Sequence, residues 1–168
     1  MNSEELKNIQ APIKKKYQEQ PDSATITLKA QGKIGEGISC KVATGKALAE
    51  AGLHPATGGD GLLACSGDML LEALVACAGV TLSAVSTAIG VDIKDCTVNA
   101  EGDLDFRGTL GVSKDVAVGF KAIRLSFILD SDGTDEQIQT LAKLTERYCV
   151  VYQTLTKAVP INTSFNKQ

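Results

Sequence analysis

The spacing of apolar residues along the chain changes between a helical period and a strand period, and these changes mark the predicted elements. Residues 3–20 place Leu6, Ile9 and Ile13 on one stripe of an otherwise charged segment. This spacing predicts an amphipathic helix, and Pro21 ends it because proline cannot continue a helix.

A hairpin is predicted after this helix. Residues 24–30 alternate apolar and polar side chains, as a strand with one wet face does. A glycine-rich turn over 32–37 leads into a second alternating segment, 38–44, and two strands joined in this way form a hairpin. The next segment, 45–65, is rich in glycine and has no clear period, which predicts an irregular loop.

The most apolar part of the chain is predicted to form a long central helix. It covers 66–89, with the Ser66 hydroxyl as its expected N-terminal cap and Gly90 at its end. The uncharged run 73–91 is long enough to cross a bilayer, but it contains several Ser, Thr and Gly residues and has no basic cluster beside it. We therefore expect the buried helix of a soluble protein and no membrane partner.

The C-terminal half is predicted to contain a strand pair, a helix and a last strand. Apolar residues alternate in 91–106 and again in 120–129, so these two segments are expected to pair antiparallel. Thr134 is expected to cap a helix, and 161–165 follows Pro160 as a short strand. The order β-β-α-β-β-α-β groups strands in hairpins and predicts an α+β fold.

Composition and charge narrow the class of protein. The 168 residues are 43% hydrophobic and 22% charged, which excludes a disordered chain and suits one folded domain. We predict a helical extension over 1–22 and a single domain over 23–168. The formal net charge of −3 provides no basic face, so no nucleic-acid partner is expected. The polar N-terminus does not resemble a secretory signal, and we expect a cytoplasmic location.

Thiols are the main candidates for chemistry. The chain has five cysteines, an odd number without a CxxC pair, and in a chain of this length they do not indicate a disulfide framework. The one histidine, His54, lies in the glycine-rich segment, and no paired Cys or His residues indicate a zinc site. We therefore expect reduced thiols, no metal and no bound cofactor.

Cys77 and Cys149 stand out by their surroundings. Small residues flank Cys77 in the central helix and would let a substrate or another backbone come close. Arg147 lies two residues before Cys149, and a nearby cation favours a thiolate. The alternative for both is ordinary packing, which is common for free cysteines and is expected for the other three.

Two segments resemble the motifs of a known family. CSGDMLLEALVACAGVTL (65–82) and RYCVVYQTL (147–155) are similar, in order and separation, to the cysteine motifs of the OsmC/Ohr family. That family comprises the osmotically inducible protein C and organic hydroperoxide resistance proteins. The resemblance implies an OsmC-like fold, in which antiparallel hairpin sheets pack around the buried central helix of an intertwined homodimer.

The resemblance also implies a thiol-dependent peroxidase that reduces organic hydroperoxides. Cys77 would be the attacking thiolate and Cys149 the resolving thiol. An external dithiol, such as a lipoyl group or a small thiol, would be the reductant. A second hypothesis is an OsmC-like dimer that binds a small apolar ligand without turnover, and a third is a purely structural dimer.

The family resemblance further implies an Arg from the first hairpin and a Glu early in the central helix, both beside the attacking cysteine. Here the cation of the hairpin turn is Lys33, and Gly67 occupies the Glu position. The second motif reads CVV where many relatives have CPV. As a carboxylate in an apolar helix, Glu72 would need a partner if buried. The candidates to support the site are Glu72, Asp68, Lys33, Arg107 and Arg147.

Overall fold

A computed structural model describes residues 2–20, 23, 31–34, 39–43 and 48–167. The helices in these ranges are α1 (Ser3–Glu19), α2 (Ser66–Ile89), α3 (Phe106–Thr109), α4 (Asp135–Tyr148) and α5 (Val150–Thr156). The strands are β1 (Gln31–Ile34), β2 (Ser39–Ala43), β3 (Leu48–Gly52), β4 (Ala64–Cys65), β5 (Ile93–Asp103) and β6 (Ala122–Ser131). A 3-10 turn covers Pro55–Thr57.

The strands form two sheets. The first has the order β1-β2-β3-β4, and its neighbours are antiparallel except for the short parallel pairing of β3 with β4. In the second sheet, β5 and β6 form an antiparallel pair from Ile93 opposite Ser131 to Asp103 opposite Ala122. Small antiparallel sheets together with helices confirm the predicted α+β class, and the second sheet confirms the predicted pairing in the C-terminal half.

The first described strand of the N-terminal hairpin includes residues that the sequence assigns to the turn. The predicted strand 24–30 lies outside the described residues. Antiparallel pairing of β1 with β2 extends to Ile34 opposite Cys40, so 32–34 belong to a strand and not to the predicted turn. Cross-strand hydrogen bonds outweigh the turn preference of the glycine at position 32.

Two further predictions of local structure are wrong. The segment 45–65 is not an irregular loop throughout, because β3, the 3-10 turn and β4 lie within it. The sequence of β3, LAEAG, has a low intrinsic preference for strand, and pairing with β2 provides its hydrogen bonds. The last strand predicted at 161–165 is also absent from the described residues, where 157–167 contain no helix or strand.

α2 is the predicted central helix and has the predicted ends. It stops at Gly90, whose φ of 73° lies in the left-handed region that glycine adopts without strain. Its N-cap is Cys65, with no side-chain capping hydrogen bond, so the predicted Ser66 cap is wrong. Among the described residues, α2 alone is long and apolar enough to cross a bilayer, a test that a core helix of a soluble protein also passes.

One face of α2 builds the core. The two buried clusters are Leu82, Val85, Val91 and Leu141, and Leu74, Ala78 and Cys149. Both clusters pack this face of α2 against β5 and β6, and they add α4 in the first cluster and α5 in the second. The opposite face stays open in the single chain, where Val80 is 73% exposed. Within the single chain, the helix is therefore buried on one face, whereas the sequence predicts burial of the whole helix.

Candidate functional site

Cys149 lies where α4 ends and α5 begins, as the C-cap of the first helix and the N-cap of the second. The start of α4 is fixed by the predicted Thr134 cap, which forms a capping box with Gln137. At the junction, the Cys149 N–H donates to the Thr145 carbonyl at 2.9 Å, and the Cys149 carbonyl accepts from the Gln153 N–H at 2.9 Å. These bonds hold the backbone of Cys149, and its side chain is only 1% exposed.

The structure brings Cys77 and Cys149 together. Cys149 is buried with Leu74 and Ala78, and the half-buried Cys77 packs against the same cluster. Each thiol influences the pKa of the other, and both cysteines are free. Because a reversible disulfide needs two thiols that can meet with little backbone movement, this arrangement is chemically competent for one.

Hydrogen-bond donors around Cys77 favour its thiolate. Burial raises the pKa of the Cys77 thiol, because a buried charge loses its hydration. The backbone N–H of Val151 and the Cys149 thiol lower this pKa by donating to the sulfur. The Val150 N–H and the Thr81 hydroxyl lower it further. The net result is a pKa of Cys77 below its ordinary value.

The Cys149 thiol is shifted in the opposite direction. Burial raises its pKa, and the neighbouring Cys77 raises it further, since two negative sulfurs in contact repel each other. Backbone N–H groups of Tyr152 and Val151 offset only part of this rise. Cys77 therefore ionises first, and Cys149 keeps the proton with which it donates to Cys77.

The two acidic candidates lie on another part of α2. Asp68 and Glu72 are exposed in the single chain and line a cavity of about 390 Å³ with Leu71 and Val75. Glu72 needs no buried partner in the single chain because it is exposed there, and its expected pairing across a dimer stays a prediction. Neither acid is among the groups that set the pKa of Cys77.

The cationic candidates are not brought to the thiols. Arg107 is engaged by Asp105, with Nη2 2.6 Å from Oδ2, and this pairing lowers the pKa of Asp105 to about 2. Arg147 is exposed and lies over the ring of Tyr148 at 5.6 Å. Neither arginine is among the principal influences on the pKa of Cys77 or Cys149. The Lys33 side chain lies outside what the structure describes.

An apolar cavity of about 680 Å³ adjoins the cysteine cluster. Five of its lining side chains also pack around Cys149 and Ala78: Leu74, Ile123, Leu125, Phe127 and Tyr152. Lys121, Arg124 and Glu146 add charged groups to its lining. A cavity of this size and composition suits a small, largely apolar ligand.

The donors to Cys77 are the site groups that sequence reasoning missed. Thr81 follows Cys77 by one helical turn, so its spacing was a usable signal. The Val150 and Val151 donors are backbone N–H groups, which every residue except proline has, and they leave no signal in side-chain identity. Over the described part of the chain, no group of three or more His, Cys, Asp or Glu residues could hold a metal ion.

Comparison with known proteins identifies the fold. The structure of an OsmC-like protein from Mycoplasma pneumoniae is 18% identical, covers 78% of this chain and 88% of its own, and has a TM-score of 0.65. An organic hydroperoxide resistance protein from Elizabethkingia anophelis is 17% identical, covers 77% of this chain and 88% of its own, and has a TM-score of 0.62.

A third similar structure is that of an organic hydroperoxide resistance protein OsmC, a predicted redox protein, from Legionella pneumophila. It is 16% identical, covers 79% of this chain and 90% of its own, and has a TM-score of 0.55. A search of curated protein sequences finds no match. The family model described as OsmC-like protein matches residues 59–164, which is more than half of the chain. On this match and the shared fold, the chain belongs to the OsmC family.

Proposed function

We propose that this protein is a thiol-dependent peroxidase that reduces organic hydroperoxides with two cysteines. One observation carries the proposal: Cys77 and Cys149 are in contact, and their pKa values are shifted in opposite directions. A peroxidase needs one thiol that is ionised to attack and a second that stays protonated until it is needed. Membership of the OsmC family, which includes organic hydroperoxide resistance proteins, supports the same reaction.

In the first step, the Cys77 thiolate attacks the distal oxygen of the hydroperoxide ROOH. The S–O bond forms as the O–O bond breaks, Cys77 becomes a sulfenic acid, and the alkoxide leaves as ROH after taking a proton. The apolar cavity shares five side chains with the cluster that holds the two cysteines, and it favours a hydroperoxide with an alkyl or acyl chain over hydrogen peroxide, which has no apolar part to bury.

In the second step, Cys149 resolves the sulfenic acid. Its sulfur attacks the sulfur of Cys77, water leaves, and a disulfide joins the two residues. Once Cys77 is no longer a thiolate, the repulsion that raises the pKa of Cys149 is gone, and Cys149 loses its proton more easily. An external dithiol then reduces the disulfide. The balanced sum is ROOH plus a dithiol giving ROH, water and the oxidised dithiol.

The proposal includes a homodimer in a reducing, cytoplasmic setting. The open face of α2 supports a second chain, because its apolar side chains meet water in the single chain. A reducing compartment would supply the dithiol that each cycle consumes, and we propose a lipoyl group or a small thiol for that role.

One observation favours the alternative, an OsmC-like dimer that binds a small apolar ligand without turnover. Neither Arg107 nor Arg147 is among the principal influences on the pKa of Cys77 or Cys149, and Arg124, which lines the apolar cavity, is already paired with Glu101 and Asp103. The apolar cavity would remain a binding site in that case.

Two cysteine variants separate the hypotheses. Wild type should consume cumene hydroperoxide in the presence of dihydrolipoamide or dithiothreitol, and Cys77→Ser should abolish consumption. Cys149→Ser should allow one oxidation per chain and leave a sulfenic acid that dimedone traps. Cys96→Ser is the matched control and should keep the wild-type rate. Equal turnover by wild type and Cys77→Ser would refute the peroxidase, and ligand binding without consumption would favour the binding protein.

A further inference from the structure

A buried hydroxyl on α4 is left without a partner in the reduced protein. Thr145 is 2% exposed, and among the fully buried side-chain nitrogen and oxygen atoms that the structure describes, its Oγ1 is the one with no hydrogen bond. Such a group gives up its bonds to water without replacing them, and a valine of the same shape would avoid that cost. A hydroxyl kept in this state therefore points to a partner that arises during the reaction.

Thr145 also does not make the hydrogen bond that other helical threonines make. Four threonines of α2 and α5 donate to the carbonyl oxygen four residues before them, at 2.7–2.9 Å: Thr81, Thr87, Thr154 and Thr156. The Leu141 carbonyl is the corresponding acceptor for Thr145, and the Thr145 hydroxyl does not donate to it. The hydroxyl proton of Thr145 is therefore available to an acceptor beside the helix.

The side chain that follows Thr145 by one helical turn is Cys149. The Cys149 N–H donates to the Thr145 carbonyl at 2.9 Å, so the helical geometry of α4 continues to Cys149 and makes the two side chains neighbours on one face. Both are buried on this face. Cys149 packs in the cluster that also holds Cys77, so the free hydroxyl lies one turn from the cysteine pair.

We propose that the Thr145 hydroxyl is a positioning group for Cys149, to whose sulfur it donates a hydrogen bond when Cys149 loses its proton to form the disulfide with Cys77. The proposal deepens the proposed function and rests on Cys149 being its resolving thiol. The Cys149 thiolate attacks the sulfur of the Cys77 sulfenic acid, the S–O bond breaks, and hydroxide leaves as water with the proton that Cys149 gave up. Thr145 keeps its own proton throughout.

Burial explains why Cys149 needs such a donor. The residue is 1% exposed, so water does not solvate its thiolate when the thiolate forms. A neutral donor fixed on the same helix stabilises that charge without having to reorganise. The two other titratable side chains of the cluster, Cys77 and Tyr152, are the same in every variant tested below.

Two substitutions separate the hydroxyl of Thr145 from its shape. Thr145→Val keeps the branched shape and removes the hydroxyl, whereas Thr145→Ser keeps the hydroxyl and removes the methyl group. A role in packing predicts that valine behaves as wild type and serine is impaired, and the proposal predicts the reverse. Thr140→Val is the matched control, because it makes the same change on the exposed side of α4.

The experiment follows attack by Cys149 in the full-length reduced protein without any peroxide. One equivalent of methyl methanethiosulfonate places a methylthio group on Cys77, and attack by Cys149 then forms the same disulfide and releases methanethiol. Mass spectrometry at successive times measures both species. We expect Thr145→Val to slow this attack about tenfold, and Thr145→Ser and Thr140→Val to keep the wild-type rate. A wild-type rate in Thr145→Val, or an equally slow Thr145→Ser, would overturn the proposal.

Two further measurements complete the test. Reduced Thr145→Val should unfold at a higher urea concentration than wild type, because the buried hydroxyl without a partner is gone. A lower midpoint would show that the hydroxyl already has a stabilising partner and would count against the proposal. Consumption of cumene hydroperoxide is followed in parallel. If wild type consumes none, the proposed peroxidase fails, while the methylthio reaction still decides the role of Thr145.

Discussion

At the scale of single residues, the proposed peroxidase depends on how the Cys77 thiolate is stabilised, and no cation is among the principal influences on the pKa of Cys77. A lysine or arginine acts through its charge, which salt screens and which can be satisfied by another partner, as Asp105 satisfies Arg107. The donors to Cys77 are neutral, and two of them are parts of the backbone. Their effect therefore depends on the position of α5 relative to α2 and varies little with ionic strength.

The first prediction compares Cys77 with Cys96, which is also half-buried. Burial and the charge of Asp95 raise the pKa of Cys96, whereas donors lower that of Cys77. A lower pKa means more thiolate at a given pH, so Cys77 should be alkylated at least about tenfold faster than Cys96 at pH 7. The difference should shrink as the pH rises above both pKa values. Equal rates at neutral pH, measured by mass spectrometry, would contradict the opposite shifts.

Only part of the candidate site can be predicted from the residue types in the sequence. Two cysteine motifs were visible in the sequence, and the structure brings Cys77 and Cys149 into contact. The charged candidates follow from the Arg and Glu that the family resemblance implies beside the attacking cysteine. Arg107 instead pairs with Asp105, and Glu72 lies on an exposed part of α2. The local fold, and not the residue type, decides where each of these side chains lies. Backbone donors cannot be read from residue type at all.

At the scale of elements, the caps explain which boundaries were predictable. α4 starts at a Thr134–Gln137 capping box, a pattern that specifies both partners in the sequence. The N-cap of α2 is Cys65, which makes no side-chain capping hydrogen bond, whereas the sequence favours the neighbouring Ser66 as the cap. The sequence does not predict β3, because a strand of Ala and Gly residues has little strand preference of its own and forms through its hydrogen bonds to β2. The sequence does predict the β5–β6 pair, because apolar and polar residues alternate within each of these strands.

The second prediction follows from these two helix starts. Cys65→Ser should raise the free energy of unfolding by about 1 kcal/mol, because a serine hydroxyl at the N-cap can accept a free amide of the first turn of α2. Thr134→Ala should lower it by about 1 kcal/mol, because Thr134 Oγ1 accepts from the Gln137 N–H. Urea unfolding at one fixed protein concentration measures both. A loss of stability in Cys65→Ser would show that the thiol contributes through packing instead.

At the scale of the whole molecule, the single chain leaves part of its most apolar helix uncovered. Ala73, Ala76 and Val80 lie on the open side of α2 at helical spacing, and Val80 is 73% exposed. Monomeric soluble proteins rarely leave a continuous apolar patch in water. Small side chains on such a stripe let a second helix approach closely, which suits a copy of the same helix related by a two-fold axis.

The boundary between the extension 1–22 and the domain 23–168 stays a prediction, and α1 lies outside the matched range 59–164.

The last prediction tests that second chain. Wild type at micromolar concentration should have twice the chain mass of 17.6 kDa by light scattering. The reason is that burying the exposed apolar side chains of α2 against a second copy removes them from water, which is favourable. Val80→Glu places a charge in that contact and should weaken dimerisation at least about thirtyfold, a loss of about 2 kcal/mol. Gln139→Glu adds the same charge on the exposed side of α4 and should leave the dimer intact. A wild-type protein that stays monomeric at this concentration would refute the dimer, and a dimer insensitive to Val80→Glu would move the interface away from this face of α2.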